Sequence, residues 1–353
     1  MTYSKQELSD FAQRIKTLDK SGMKADLDSW PEIAEAAWNS QGDAHLDSKP
    51  SSIIVAGMGG SGITGDILRS VSDESGSRTM FTVLKDDRLP AWAGPNTLVI
   101  GISCSGNTQE TLSAIAHADR LGIPYVTVGS GGALEAFSKA HGKIHIRTRM
   151  LGSPRASMPA MLYAAFRFLC ASKMMDIDEV ALRGSLDAMK SVRKNAGSIS
   201  EGNRSLELAE ELERGGSPVI LASRRTVAAG ERFRQSLNET SKMDATFNHI
   251  PEAFHNTVDI FDAPPERRTG YRALVLELED DPAEIKRRQS VLGELLQDRA
   301  IKTIKAPYER SRYLGMLMSM IYYLEYTTFY LGIMRGVDPA AVPAVNFLKS
   351  RLK

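Results

Sequence analysis

The sequence predicts an α/β protein: two parallel sheets in tandem, each covered by helices on both faces, with extra helices besides. Two observations predict this. Short runs rich in Val and Ile alternate with helical patterns, as expected of strands buried on both faces. That alternation occurs twice, on either side of a break at 150–159 that holds two prolines and a glycine, and 353 residues suffice for two domains with cores of their own.

Residues 3–20 and 28–39 read as helices with polar faces, and Gly42 to Pro50 as a polar connector. The first alternation has strands at 52–56 (SIIVA), 79–84, 97–102, 125–128 and 143–146, with helices at 64–71, 108–121 and 133–140 between them. Beyond the break, helical patterns cover 158–174 and 178–213. The second alternation has strands at 218–222, 245–248, 272–278 and 303–306 and helices at 228–237 and 282–296. Helices at 309–334 and 343–352 close the chain. The expected organisation is a helical preface over 1–45, a first domain over 46–152 and a second over 153–353 that includes the C-terminal helices.

Composition narrows the function classes. The net charge is +1, so bulk electrostatics gives no case for nucleic acid or an anionic membrane. The N-terminus is charged throughout and lacks the apolar core of a signal peptide. Residues 313–324 are uncharged and mostly apolar but fall short of the roughly 18 residues of a membrane span, so they are expected to be buried in a core or subunit interface. Cys104 and Cys170 form no metal-ligand pattern and fit a reducing, cytoplasmic compartment. His45, His117, His141 and His145 are read as supplying no zinc site, so neither metal nor cofactor is expected.

Two loops carry the functional signal. Gly57-Met58-Gly59-Gly60-Ser61-Gly62 directly follows the strand at 52–56 and precedes a helix. Glycine lets the backbone turn tightly and approach a ligand, and the helix N-terminus presents free N–H groups to an anion. Ser103-Cys104-Ser105-Gly106-Asn107-Thr108 follows the strand at 97–102 and again precedes a helix. Its three hydroxyls and backbone N–H groups make a neutral cradle for a phosphate monoester, although Ser or Thr at a helix start also serves simply as a cap. Two such loops at the carboxyl ends of strands in one sheet point to a ligand crevice. The first loop also fits G-x-G-x-x-G, so a dinucleotide-binding oxidoreductase with Asp86 or Asp87 on the ribose is a rival, but the serine loop has no task there.

At these loops the chain resembles the SIS (sugar isomerase) domain, a doubly wound, flavodoxin-like α/β module that binds phosphosugars. GSPRASMP (152–159) resembles the arginine-bearing link between two such domains, LNETSKMDATFNHIPEAFHN (237–256) the segment with a catalytic glutamate and histidine, and NFLKSRL (346–352) a lysine-bearing C-terminal helix. In order and spacing, over roughly 45–353, they resemble the bifunctional phosphoglucose/phosphomannose isomerase family. Cys104 departs from the aromatic residue expected there, and Ala253-Phe254 from Leu-Asn.

The resemblance implies a metal-free aldose–ketose isomerase acting on glucose, mannose and fructose 6-phosphates through an enediolate. Glu239 is the candidate base, a carboxylate suited to taking and returning a carbon-bound proton. His255 is the candidate ring-opener, because an imidazole is the natural side chain for a proton shuttle. Arg155 would stabilise the enediolate, which an electrostatic group does better for the transition state than for the neutral sugar. Lys349 would supply a second cation. Ser61, Ser103, Ser105 and Thr108 would hold the 6-phosphate, and Gly60 would allow its approach. The family also implies a homodimer in which His255 is supplied across the interface. A non-catalytic phosphosugar-binding SIS protein is the alternative; it would keep both loops without needing Glu239 and His255.

Overall fold

A computed structural model of the chain describes residues 4–40, 44–47, 49–268 and 270–351. Tyr3, Gly42, Asp43, Ser48 and Leu352, which fall in the expected first helix, connector and last helix, lie outside these. In chain order the elements are α1 (Lys5–Leu18), α2 (Met23–Asp28), α3 (Trp30–Asn39), β1 (Ser52–Ala56), α4 (Gly59–Glu74), β2 (Met80–Leu84), β3 (Thr97–Ser103), α5 (Gln109–Arg120), β4 (Tyr125–Gly129), α6 (Gly132–Ala140), β5 (His145–Arg147), α7 (Met158–Ala171) and α8 (Glu179–Ala196). There follow α9 (Arg204–Gly215), β6 (Pro218–Ala222), α10 (Val227–Ser236), β7 (Thr246–His249), α11 (Pro265–Arg268), β8 (Arg272–Leu276), α12 (Ala283–Asp298), β9 (Lys302–Lys305), α13 (Tyr313–Met334) and α14 (Pro343–Arg351).

These elements form two compact units. The first holds Ala25–Met189 with Ser311–Gly315, and the second holds the rest of the described chain. In the first, five parallel strands run in the order β2-β1-β3-β4-β5. Every residue of β1, β3 and β4 is buried, as a parallel sheet covered on both faces requires. Ile54, Val99, Ile115, Tyr125 and Leu134 form the core of one face. The second unit repeats the plan with four parallel strands in the order β7-β6-β8-β9. Val219, Leu221, Ala273, Val275, Leu292 and Leu296 lie in its core. The tandem doubly wound α/β class is as predicted.

Local corrections have physical causes. Helix α4 starts at Gly59, not 64, because the glycine loop is itself the first turn: a Cβ on Gly62 would stand 2.7 Å from the Gly57 carbonyl oxygen. The helix expected over 178–213 is two helices, α8 and α9. Buried Asn203 ends one and starts the other; its amide donates to the carbonyls of Ala196 (3.0 Å) and Ser198 (2.7 Å), and its oxygen accepts from the N–H groups of Ser205 and Leu206. Helix α13 is buried almost throughout. Among the described residues, no helix is long and apolar enough to cross a membrane.

Candidate active site

In the first unit the strand order reverses between β1 and β3, and in such sheets ligands bind at that reversal, outside the carboxyl ends of the strands. Both predicted loops lie there. Cβ atoms at Gly57 would meet the Ile102 carbonyl oxygen at 3.0 Å, so the first loop passes hard against the end of β3. Ser61, in the first turn of α4, is buried, and its Oγ accepts from the Cys104 N–H at 3.3 Å, which ties the two loops together. With 16 residues, α4 aims a full helix N-terminus at this crevice.

The serine loop is held from within. Ser103 Oγ lies 2.9 Å from Thr108 Oγ1 and accepts from the Gly106 N–H at 3.1 Å, while Ser105 Oγ accepts from the Asn107 N–H at 3.3 Å. Thr108 stands at the N-cap of α5 without a side-chain capping bond. Gly106 has φ +69°, and a Cβ there would fall 1.7 Å from the Gly131 carbonyl oxygen, so no other residue fits. The turn after β4 clamps this loop, with the Ala133 N–H donating to Asn107 Oδ1 at 3.0 Å. The clamp was missed from sequence; the signal was the run Gly129-Ser130-Gly131-Gly132 immediately after a strand.

Arg155 lies in the same unit, half-buried in the 3-10 turn Pro154–Ser157. That turn is joined to the serine loop: Cys104 hydrogen-bonds Ser157, whose Oγ also accepts from the Leu151 N–H at 2.8 Å. Burial pushes the Cys104 thiol above its ordinary pKa, and the Ser157 bond opposes this in part. Cys104 is therefore held as a neutral thiol.

Glu239, His255 and Lys349 belong to the second unit. Glu239 is half-buried and sits in the π-helical turn Leu237–Ser241, which continues α10. π turns are rare and recur at functional sites. Leu237's carbonyl oxygen accepts from the N–H groups of Lys242 and of Met243 (3.0 Å) and from Ser241 Oγ (2.8 Å). Lys242 then takes a left-handed conformation (φ +55°), and its ammonium donates to the carbonyls of Glu239 and of Ala341, the latter at 2.7 Å. His255 is exposed at the end of the 3-10 turn Glu252–His255, and Lys349 is exposed on α14.

Among the described residues, no group of three or more His, Cys, Asp or Glu could hold a metal ion. His141 and His145 do stand four apart, a spacing the sequence analysis overlooked that pairs ligands on one helix face. Here the spacing does not act that way: His141 follows α6 and bonds the Phe137 carbonyl, and His145 is on β5 against Thr127.

Residues 201–352 match the family model of the bacterial phospho-glucose isomerase C-terminal SIS domain. The bifunctional phosphoglucose/phosphomannose isomerase of Thermoplasma acidophilum is 30% identical over 306 residues, which are 86% of this chain and 90% of that protein. The protein of the same name from Aquifex aeolicus is 29% identical over 85% of this chain and 90% of its own length. Among solved structures, tagatose-6-phosphate ketose/aldose isomerase from Escherichia coli superposes with a TM-score of 0.66, covering 94% of this chain and 95% of that one. At 15% identity this is a likeness of fold.

Proposed function

The chain belongs to the bifunctional phosphoglucose/phosphomannose isomerase family, and from that premise we propose that it interconverts glucose 6-phosphate and mannose 6-phosphate with fructose 6-phosphate, without a metal. The observation that carries this is the crevice at β1 and β3, where glycine and serine loops joined through Ser61 and Cys104 meet at one helix N-terminus. It suits a phosphate monoester. A dinucleotide would leave the serine loop without a task.

In this mechanism Ser61, Ser103, Ser105 and Thr108 hold the 6-phosphate, and Gly60 leaves room for it. His255 moves a proton between the ring oxygen and the C1 hydroxyl to open the ring. Glu239 takes the proton from C2 of the aldose and returns it to C1, giving the ketose; the reverse transfer gives the aldose. The negative charge that develops on the C1 and C2 oxygens is stabilised by Arg155, with Lys349 as a second cation. Rotation about C2–C3 of the enediolate before reprotonation would let both epimers share one base. The assembly is a homodimer in which each copy supplies His255 to the other. Two free cysteines, Cys104 and Cys170, fit a reducing cytoplasm.

The test is a coupled assay with glucose 6-phosphate and mannose 6-phosphate on chelator-treated protein. Wild type turns over both, and Glu239→Gln loses about 10²–10⁴-fold in kcat on both while still binding phosphosugar. Near-normal turnover by Glu239→Gln removes the base, and loss of wild-type activity that zinc restores removes the metal-free mechanism.

A further inference from the structure

We propose that α13 is the template that sets the position of Glu239, with Arg232, Ser236, Glu325 and Gly332 as positioning residues for the proton transfer; this rests on Glu239 being the base. Arg232 on α10 and Glu325 on α13 are 2% and 0% exposed. They meet fork to fork, Nε to Oε1 at 2.8 Å and Nη2 to Oε2 at 2.9 Å. Ser236 Oγ donates to the same carboxylate at 2.5 Å. Taking two charges out of water costs free energy that their attraction seldom returns as stability, and apolar side chains of similar volume would hold these helices together as well. What apolar packing lacks is a unique geometry. A bidentate guanidinium–carboxylate pair has one, and it fixes the height and rotation of α10 against α13.

The contact continues to the candidate base. Arg232, Ser236 and Thr240 are spaced by four and form one stripe along α10 and the π turn. At Thr240 the partner is Gly332: a Cβ there would stand 2.7 Å from the Thr240 carbonyl oxygen and 3.6 Å from the Ser241 Cα. Only glycine lets α13 close on the π turn at that point. Glu239 is the residue next to Thr240, so a small slip of α10 along α13 moves its carboxylate. Abstraction of a carbon-bound proton depends steeply on such placement. None of the four is among the residues proposed to hold the phosphate, so their effect is expected on kcat and not on KM.

Three variants assayed beside Glu239→Gln test this. Arg232→Met/Glu325→Leu removes both charges at once and is expected to keep the wild-type unfolding midpoint within a few degrees. Its kcat falls at least about tenfold, with KM within about twofold. Ser236→Ala, which disturbs the fold least, lowers kcat about threefold with unchanged KM; if the double variant does not fold, this result decides. Arg232→Lys, which keeps one of the two bonds, lies between wild type and the double variant. Wild-type kcat in the double variant or in Ser236→Ala, while Glu239→Gln is inactive, overturns the template alone. Activity in Glu239→Gln overturns the base instead.

Discussion

The two units present the same topological crevice and furnish it in opposite ways. In the first, the loops after β1 and β3 are glycine and hydroxyl, neutral and partly open, with Ser105 and Asn107 exposed. In the second, the loops after β6 and β8 are closed on each other by the chain's own charges. Arg225, 3% exposed, donates from Nη1 and Nη2 to Asp280 at 2.7 and 3.1 Å and from Nη1 to Asp281 at 3.0 Å. Asp281, equally buried, also accepts from the Leu278 N–H and the Gln289 amide. Thr226 Oγ1 donates to the Leu276 carbonyl, which seals the floor. Where one crevice leaves N–H and O–H donors for an anion, the other has a guanidinium already satisfied by carboxylates. A doubly wound sheet supplies a place for a ligand, but the residues at the loop decide whether it is a site or a clasp.

Breaking the clasp gives the largest expected effect. Arg225→Met strips buried Asp281 of its cation and costs about 3–5 kcal/mol of stability. The kcat/KM of the protein that remains folded stays within about twofold, as denaturant melts and the coupled assay would record. A raised KM at unchanged stability would mean that the second crevice binds substrate and that the contrast is wrong. Ser103→Ala acts on the other side of the comparison. Loss of one hydrogen bond to a charged phosphate is worth about 1.5–3 kcal/mol, so KM rises roughly tenfold to a hundredfold, while loss of the bonds to Thr108 and Gly106 lowers stability by about 1 kcal/mol. Unchanged KM would remove Ser103 from the cradle.

The smallest effect is electrostatic. Arg225 holds the Asp280 carboxyl below the usual range. A depressed folded pKa stabilises the fold at pH values above the unfolded pKa of about 3.9, and this contribution is lost as pH falls through the folded value. Asp280 is half-exposed, so screening keeps the effect below about 1 kcal/mol. Asp280→Asn should therefore lower stability at pH 7 by less than about 1 kcal/mol and flatten the loss of stability as pH falls below about 4. An unaltered acid profile would show that Asp281 alone pairs with Arg225.

Much of the fold was legible because its signals are local. SIIVA and TLVIGI read as strands buried on both faces, and they are β1 and β3. Both crevice loops were legible because glycines and hydroxyls between a strand and a helix have few other uses. Where α4 begins was not legible, since glycine disfavours a helix and only the approach of Gly62 to Gly57 explains a helical first turn there. Residues 178–213 read as one helix because Asn203 acts through buried bonds to residues on both sides of the break. Glu239 could be named, but not its π turn.

What the sequence by itself determined is the class of the strands and of the longer helices, the parallel two-sheet plan and the pair of loops suited to a phosphate, because these follow from hydrophobic runs, turn residues and helix starts within a few positions of one another. Tertiary structure alone decided which crevice is open and what backs the candidate base. Arg225 finds Asp280 at a separation of 55 residues and Arg232 finds Glu325 at 93. No local preference encodes such a pair; it exists only once the helices and loops that carry it have packed and excluded water.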